Sequence, residues 1–388
     1  MILRILIPLL LLILLPDVYL WLHRLRRPSY TWAERLLWLL PSLGMVVFTI
    51  ILACAPSFVP DDIYWVRLYI ALLGVWVLPK FVYALCSSIG WGVCHMAHRR
   101  HNWGRLVGIA LGGYIIYVFI YGYTIGFGDI QVRHIDLAVK DLPARFDGVR
   151  IAHFSDAHVG TYTGRRTDIL RRAVDSIMAQ RPDLICFTGD IQNVQPAEVE
   201  PVVPLLSRLH APLGVFSVLG NHDYASYQTQ DENVRQASVN RLCHTERAMG
   251  WQLLRNEHCV VRRGGDSIVV AGMENDGEPP FPALGDAART MQGVPHKTFT
   301  LMLQHDPSAW QRTILPKTQA QLTLSGHTHG GQVSIFGLRF TQWGGRKDLG
   351  LYCQGGRYLY VSGGLGGVLA LRYGVPPEIT IIALHRKP

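Results

Sequence analysis

Four apolar runs, each about as long as a helix that crosses a hydrocarbon core of roughly 30 Å, crowd into the first 128 residues, and nothing comparable follows them. They are Ile5–Leu22, Leu36–Cys54, Tyr64–Cys86 and Leu106–Phe127. A chain divided this way places its first third in a bilayer and folds the remainder in water. The pattern predicts a membrane domain at 1–128 with about four transmembrane helices and a second domain at 129–388. The first run is interrupted by Pro8, Pro16 and Asp17 and followed by Arg24, Arg26 and Arg27. No small-residue cleavage site comes after it, so it reads as a retained anchor and not as a signal peptide. Trp21, Trp38, Tyr64, Trp65, Trp91, Trp103, Tyr121 and Tyr123 stand near the run ends, where amphipathic rings settle at headgroup level.

The charges give an orientation. Arg24, Arg26, Arg27 and Arg35 separate the first two runs, Asp61 and Asp62 the next two, and Arg99, Arg100 and Arg105 the last two. The positive-inside rule puts the first and third loops in the cytoplasm. Four crossings then carry the N-terminus and everything after Phe127 to the outer, periplasmic or extracytoplasmic, face. The formal net charge is +9, yet ten Lys or Arg against five Asp or Glu before Gln131 supply five of those charges. The surplus left to the second domain is too small to argue for nucleic acid, which is not expected as a partner. Arg67 and Lys80, inside the third run, lie near enough to its ends to snorkel toward the headgroups. Beside them and Asp17, the runs offer no charged groups of the kind an ion or proton pathway uses.

After Gly128 short apolar segments alternate with amphipathic ones. Strands are predicted at Val149–Phe154, Asp183–Thr188, Leu213–Leu219, Trp251–Leu254, Cys259–Arg262, Ile268–Gly272, Phe299–Leu303, Leu322–Ser325, Leu359–Val361 and Ile379–Leu384. Helices are predicted at Arg165–Ala179 and Val234–Met249, and a solvated loop at Glu274–Glu278. Strands and helices in alternation, then mostly strands, argue for sheets covered by helices, an α/β domain. Seven cysteines with no CxxC spacing support neither a disulfide framework nor a zinc ribbon.

Five of these strands end alike. They run into Ser155-Asp156-Ala157-His158, Gly189-Asp190, Gly220-Asn221-His222-Asp223, Gln304-His305-Asp306 and Gly326-His327-Thr328-His329. Each alone has a plain explanation, since Gly-Asp marks turns and Asn-His-Asp caps helices. On an extended backbone, Asp156 and His158 would share one side, as would His327 and His329. Ligands gather beyond the carboxyl ends of strands in such sheets, so the convergence has a structural reason. Asp156, His158, Asp190, Asn221, His305, His327 and His329 supply mixed N and O donors for two adjacent divalent ions, with Asp190 able to bridge them. Two ions roughly 3.5–4 Å apart clamp a phosphoryl group and activate a water, as phosphoester hydrolysis requires. The donor set suits Mn, Fe, Zn or Co.

This ordered set of motifs resembles the calcineurin-like metallophosphoesterase superfamily over roughly Val149–Leu384. The Gly326–Gln332 motif, Gln304-His305-Asp306-Pro307 and the tail from Gly363-Gly364-Leu365-Gly366 to Pro377-Glu378-Ile379 resemble its bacterial membrane-anchored subgroup. The resemblance implies a four-layer αββα sandwich with the metals at its centre, and a dinuclear metal-dependent phosphoric ester hydrolase. It assigns Asp156, His158, Asp190 and His329 to one ion and Asp190, Asn221, His305 and His327 to the other. The two histidines of Gly326–Gln332 are thereby divided between ions. His222 becomes the general acid toward the leaving oxygen, and Asp223 the group that orients its imidazole and keeps it protonated. One departure is that the family's Gly-Asp-x-x-Asp reads Gly189-Asp190-Ile191-Gln192-Asn193 here, so Asn193 can hydrogen-bond but brings no charge.

Spans attached directly to such a domain predict hydrolysis of a phosphodiester or pyrophosphate in a lipid-linked or cell-envelope substrate by a two-metal-activated hydroxide, with manganese as a natural assay metal. The resembled subgroup includes pyrophosphate hydrolases of UDP-diacylglucosamine in lipid A synthesis. That alternative conflicts with an outward domain, because its substrate is cytoplasmic. A metal-binding regulatory module of a polytopic membrane protein is the alternative from another class. His153 and His258 read as core or surface residues. Arg165, Arg166, Arg171 and Arg172 read as a solvated helix face, and Arg346, Arg357 and Arg372 carry no assignment.

Overall fold

A computed structural model describes residues 2–55, 63–229 and 231–387. Asp61 and Asp62, on which part of the orientation argument rests, lie outside the described residues. The chain divides into two compact units, Met1–Tyr123 and Thr124–Pro388.

The first unit is helical. Its helices are Ile2–Leu20, Trp32–Cys54, Tyr64–Leu72 running through a π turn into Leu78–Met96, and Gly104–Thr124. Four stretches, Ile5–Leu25, Trp32–Cys54, Tyr64–Met96 and Gly104–Gly128, are long and apolar enough to cross a membrane. Thr31 and Glu34 close a reciprocal capping box at the start of the second helix, with the Glu34 carboxylate accepting the Thr31 N–H at 2.7 Å. Pro8 and Pro16 do not break the first helix.

Lys80 corrects the sequence reading. It does not snorkel; its ammonium donates to the Asp17 carboxylate, to Ser42 Oγ at 2.7 Å and to the Trp38 carbonyl at 3.1 Å, and it is 7% exposed. Asp17, on another helix, gives the buried cation a counter-charge within the bundle, so it has no need to reach water.

The second unit holds two six-stranded sheets among the described residues. Its strands are β1 Gln131–Val139, β2 Arg150–Phe154, β3 Leu184–Phe187, β4 Val215–Ser217, β5 Gln252–Leu253, β6 Glu257–Arg263, β7 Asp266–Gly272, β8 Thr300–Leu303, β9 Leu322–Ser325, β10 Gly350–Gln354, β11 Arg357–Val361 and β12 Glu378–Arg386. One sheet is ordered β1-β12-β2-β3-β4-β5, the other β10-β11-β9-β8-β7-β6. β2 to β5 run parallel, as do β7, β8, β9 and β11. All five motif-bearing strands therefore release their loops at the carboxyl end of a parallel sheet.

Alternation along the strands builds the layers. Ile268 and Val270 of β7 join Ile151, Leu184, Phe216, Leu301 and Leu324 in a core drawn from both sheets. Val269 and Ala271 turn the other way, onto Trp310 and Ile314. Helix Thr167–Ala179 buries Leu170, Ala173, Val174 and Ile177, a stripe at helical spacing in which the Leu and the Ile are each worth about 2 kcal/mol. Helix Glu232–Ala248 is fixed to β4 by the Ser217 hydroxyl, 2.6 Å from the Glu246 carboxyl. The result is the expected αββα sandwich.

β1 and β10 were not predicted. β1 carries Arg133, His134 and Asp136 and buries only Leu137 and Val139, so its alternation shows only at its C-terminal end. β10 buries none of its residues fully.

Candidate metal centre

The five loops meet. His329 Nε2 lies 3.4 Å from Asp156 Oδ1, and Asp156, His158 and His329 can offer donor atoms within 4.8 Å of one another. Asp190 Oδ2 stands between His158 Nε2 at 3.7 Å and His305 Nε2 at 3.2 Å. Asn221 Oδ1 lies 3.2 Å from His305 Nε2 and 2.7 Å from His327 Nδ1. Three overlapping groups of possible donors result among the described residues: Asp156, His158 and His329; His158, Asp190 and His222; and Asp156, Asp190 and His305, with the Asp190 carboxylate in two of them. All seven residues picked from the sequence are brought together.

The backbone achieves this differently from the extended chain assumed above. Asp156, His158, Asp190, His327 and His329 all have positive φ, between 46° and 70°. A non-glycine residue held there costs about 1–3 kcal/mol, and such residues cluster where the surrounding structure over-determines a site. The left-handed turns also send neighbours apart. His327 faces Asn221 and His305, whereas His329 faces Asp156 and stacks on His158 with ring centres 5.2 Å apart. Gly189 and Gly220 permit the close approach, since a Cβ on Gly220 would fall 2.2 Å from Asp190 Oδ1.

Asp223 requires a second correction. Its carboxylate accepts backbone N–H groups from Asp190 at 2.7 Å, Ile191 at 3.0 Å, Gln192 at 3.4 Å and Gly220 at 2.9 Å. It holds the Asp190 turn in shape. The partner of the His222 ring is the Asn193 carbonyl, 2.6 Å from Nδ1. Asn193 thus meets His222 through its backbone carbonyl, and its side chain donates to Thr161 Oγ1 at 3.2 Å.

Burial governs the charges. It pushes His158 down to about 3 and His327 to about 4, and holds His329 well below the usual histidine range with help from His158 and Arg372. Their ring nitrogens therefore keep lone pairs at neutral pH. Burial also opposes a charge on His305, but the Asp190 and Asp156 carboxylates and the Thr188 carbonyl prevail and raise it to about 10. Burial and the neighbouring Asp190 raise Asp156 to about 6. Two buried carboxylates, the Asn221 amide oxygen and three neutral imidazoles offer lone pairs to divalent cations, and His305 would join them by giving up its proton to solvent as a metal binds.

Residues without a sequence motif complete the surroundings. Tyr227 stacks on His222 with centroids 4.4 Å apart, and Phe281 sets its edge against His327 at 4.6 Å. Buried Arg372 donates to the carbonyls of Gly363, at 2.6 Å, and Gly366, and its guanidinium stands 3.3 Å from His329 Nδ1. Arg357 is structural, donating to the carbonyls of Ala320, Leu315 and Ile314. His153 is a core residue beside Thr188 Oγ1, and His258 meets the Thr290 carbonyl. Arg171 pairs with Asp168 on the exposed helix face.

Residues 149–331 match the family described as calcineurin-like phosphoesterase, and residues 3–127 match the one described as probable calcineurin-like phosphoesterase, transmembrane domain. An uncharacterized metallophosphoesterase of Bacillus subtilis, YkuE, is 32% identical over 275 residues, 68% of this chain and 89% of the relative. The UDP-2,3-diacylglucosamine pyrophosphatase LpxG of Chlamydia trachomatis is 28% identical over 303 residues, 64% of this chain and 88% of the relative. A transmembrane protein with metallophosphoesterase domain from Danio rerio is 28% identical over 221 residues, 55% of this chain and 48% of the relative. The chain belongs to the calcineurin-like phosphoesterase family. It is an integral membrane protein and a metal-dependent phosphoester hydrolase.

Proposed function

We propose that residues 129–388 form the catalytic domain and residues 1–128 its membrane anchor, and that the enzyme hydrolyses a phosphodiester or pyrophosphate bond of a lipid-linked or cell-envelope substrate at the bilayer surface. The observation that carries this reading is the Asp190 carboxylate, 3.7 Å from His158 Nε2 on one side and 3.2 Å from His305 Nε2 on the other, at the overlap of the donor groups. Asp156, His158, Asp190 and His329 would hold one divalent ion, and Asp190, Asn221, His305 and His327 the other. Bound there, the ions supply an activated water and draw charge from the phosphoryl oxygens. His222 commits Nδ1 to the Asn193 carbonyl, which leaves Nε2 to pass a proton to the departing oxygen. Asp223 fixes the Asp190 turn.

The loop charges favour an outward-facing catalytic domain under the positive-inside rule. A second reading, pyrophosphate hydrolysis of UDP-diacylglucosamine, draws on the similarity to LpxG and requires the domain to be cytoplasmic. Protease protection in oriented membranes separates the two. The test of the function itself is turnover of a chromogenic phosphodiester by the full chain with added manganese. Stoichiometric metal binding without turnover would favour the regulatory-module alternative instead.

A further inference from the structure

Directly after the metal-binding turn, the chain exposes a cluster of large apolar side chains. Phe336 is 93% exposed, Leu338 74%, Phe340 63% and Trp343 79%. Soluble surfaces rarely gather such residues without something to cover them. The local fold holds them out. Ile335 and Leu338 exchange backbone hydrogen bonds at 3.1 and 3.0 Å across a two-residue turn, and both turn residues, Phe336 and Gly337, have positive φ. Phe336, a bulky residue in a left-handed conformation, is thus presented to solvent at a cost in backbone energy that no burial of its ring offsets.

The root of this loop is rigid and tied to the site. Asp348, 1% exposed, accepts from Arg339 at 2.8 and 3.2 Å and from the Thr341 hydroxyl at 2.8 Å. Its carbonyl accepts from the hydroxyl of Thr328, the residue between His327 and His329. Residues 333–347 contain Arg339, Arg346 and Lys347 and no Asp or Glu. Asp348 neutralises Arg339, which leaves the charges of Arg346 and Lys347 beside the tip. Aromatic and aliphatic tips flanked by basic side chains are the composition that settles into the interface of an anionic bilayer, and a few hundred Å² of buried apolar surface with one or two cations suffices where a tether is present. The tether is in the chain: the last candidate span closes at Gly128 and β1 opens at Gln131.

We propose that the loop Val333–Lys347 inserts its apolar tip, Phe336 to Trp343, into the bilayer interface and so holds the metal-binding turn against lipid headgroups. The proposal rests on the reading of this protein as a hydrolase working at a bilayer surface. It makes the substrate's phosphoester one that sits at headgroup depth.

The test uses the full chain reconstituted in phosphatidylethanolamine vesicles containing phosphatidylglycerol and a diazirine-bearing phospholipid, with label located by peptide mass spectrometry after irradiation. Wild type is expected to carry lipid on 333–347 as well as on the spans. The variant combining Phe336→Ser, Leu338→Ser, Phe340→Ser and Trp343→Ser should lose loop label, retain span label and turn over a soluble chromogenic phosphodiester as wild type does. A wild-type loop free of lipid beside labelled spans overturns the proposal, and so does a loop found crosslinked to a second copy of the chain. Loss of all phosphodiesterase activity in wild type would instead count against the underlying hydrolase reading, whatever the lipid label shows.

Discussion

The Asp223 carboxylate accepts the backbone N–H of Asp190 at 2.7 Å, so the residue that stands between His158 and His305 is held in its left-handed turn by an acid from a neighbouring loop. This predicts that Asp223→Ala weakens metal binding by about 10–100-fold, the usual effect of removing a group that orients a ligand. Metal titration of purified protein checks it. The alkaline limb of the pH–rate profile, where a general acid loses its proton, should stay in place, because His222 donates to the Asn193 carbonyl and not to Asp223. A shifted limb with metal affinity intact would restore the role first inferred from the family resemblance.

His222→Ala should retain metal while slowing turnover by about 10²–10⁴-fold, the range for loss of a general acid. Asp190→Ala should lose metal from both positions. Chelation of wild type should abolish activity, and manganese should restore it. Elemental analysis beside the kinetics distinguishes these outcomes, and a His222→Ala protein stripped of metal would move that residue into the ligand set.

Glu246 gives a pH signature separate from the metal centre. Burial raises its carboxyl from 4.5 to about 7. Between those values the unfolded chain releases a proton that the folded chain keeps. Its contribution is therefore complete below pH 4.5 and is lost as pH rises through about 7, on the order of 3 kcal/mol in all. Glu246→Gln, which mimics the protonated acid, should melt higher than wild type at pH 8 and nearly level with it at pH 4.5, as read by thermal unfolding in detergent.

Lys80→Met alone should destabilise the helical unit by about 3–5 kcal/mol, because Asp17 is left buried without its counter-charge. The double variant Asp17→Leu, Lys80→Met should recover most of that loss. Thermal unfolding of the detergent-solubilised proteins measures both.

Legibility followed the physics of each element. The spans and the buried parallel strands were readable because continuous apolar runs have one use in each setting. The seven donors were readable because each follows such a strand. The handedness of the turns carrying them was not, since a single positive φ at Asp156 or His329 leaves no periodic trace. Asp223 looked like a partner for His222 through adjacency alone, while three of its four donors come from residues 31 to 33 positions away in the chain. Lys80 misled for a similar reason, because Asp17 lies 63 residues earlier and only helix packing brings it close.

The sheet order sets a timetable for biogenesis. β12 follows all the other described strands in the chain, yet it lies between β1 and β2 and pairs with both. Until Glu378–Arg386 emerges, β1 has no neighbour in its sheet. The helical unit can be inserted during synthesis and the second sheet needs nothing beyond β11, but the first sheet cannot be completed until residues 378–386 are made, so anchoring precedes the appearance of a finished sandwich.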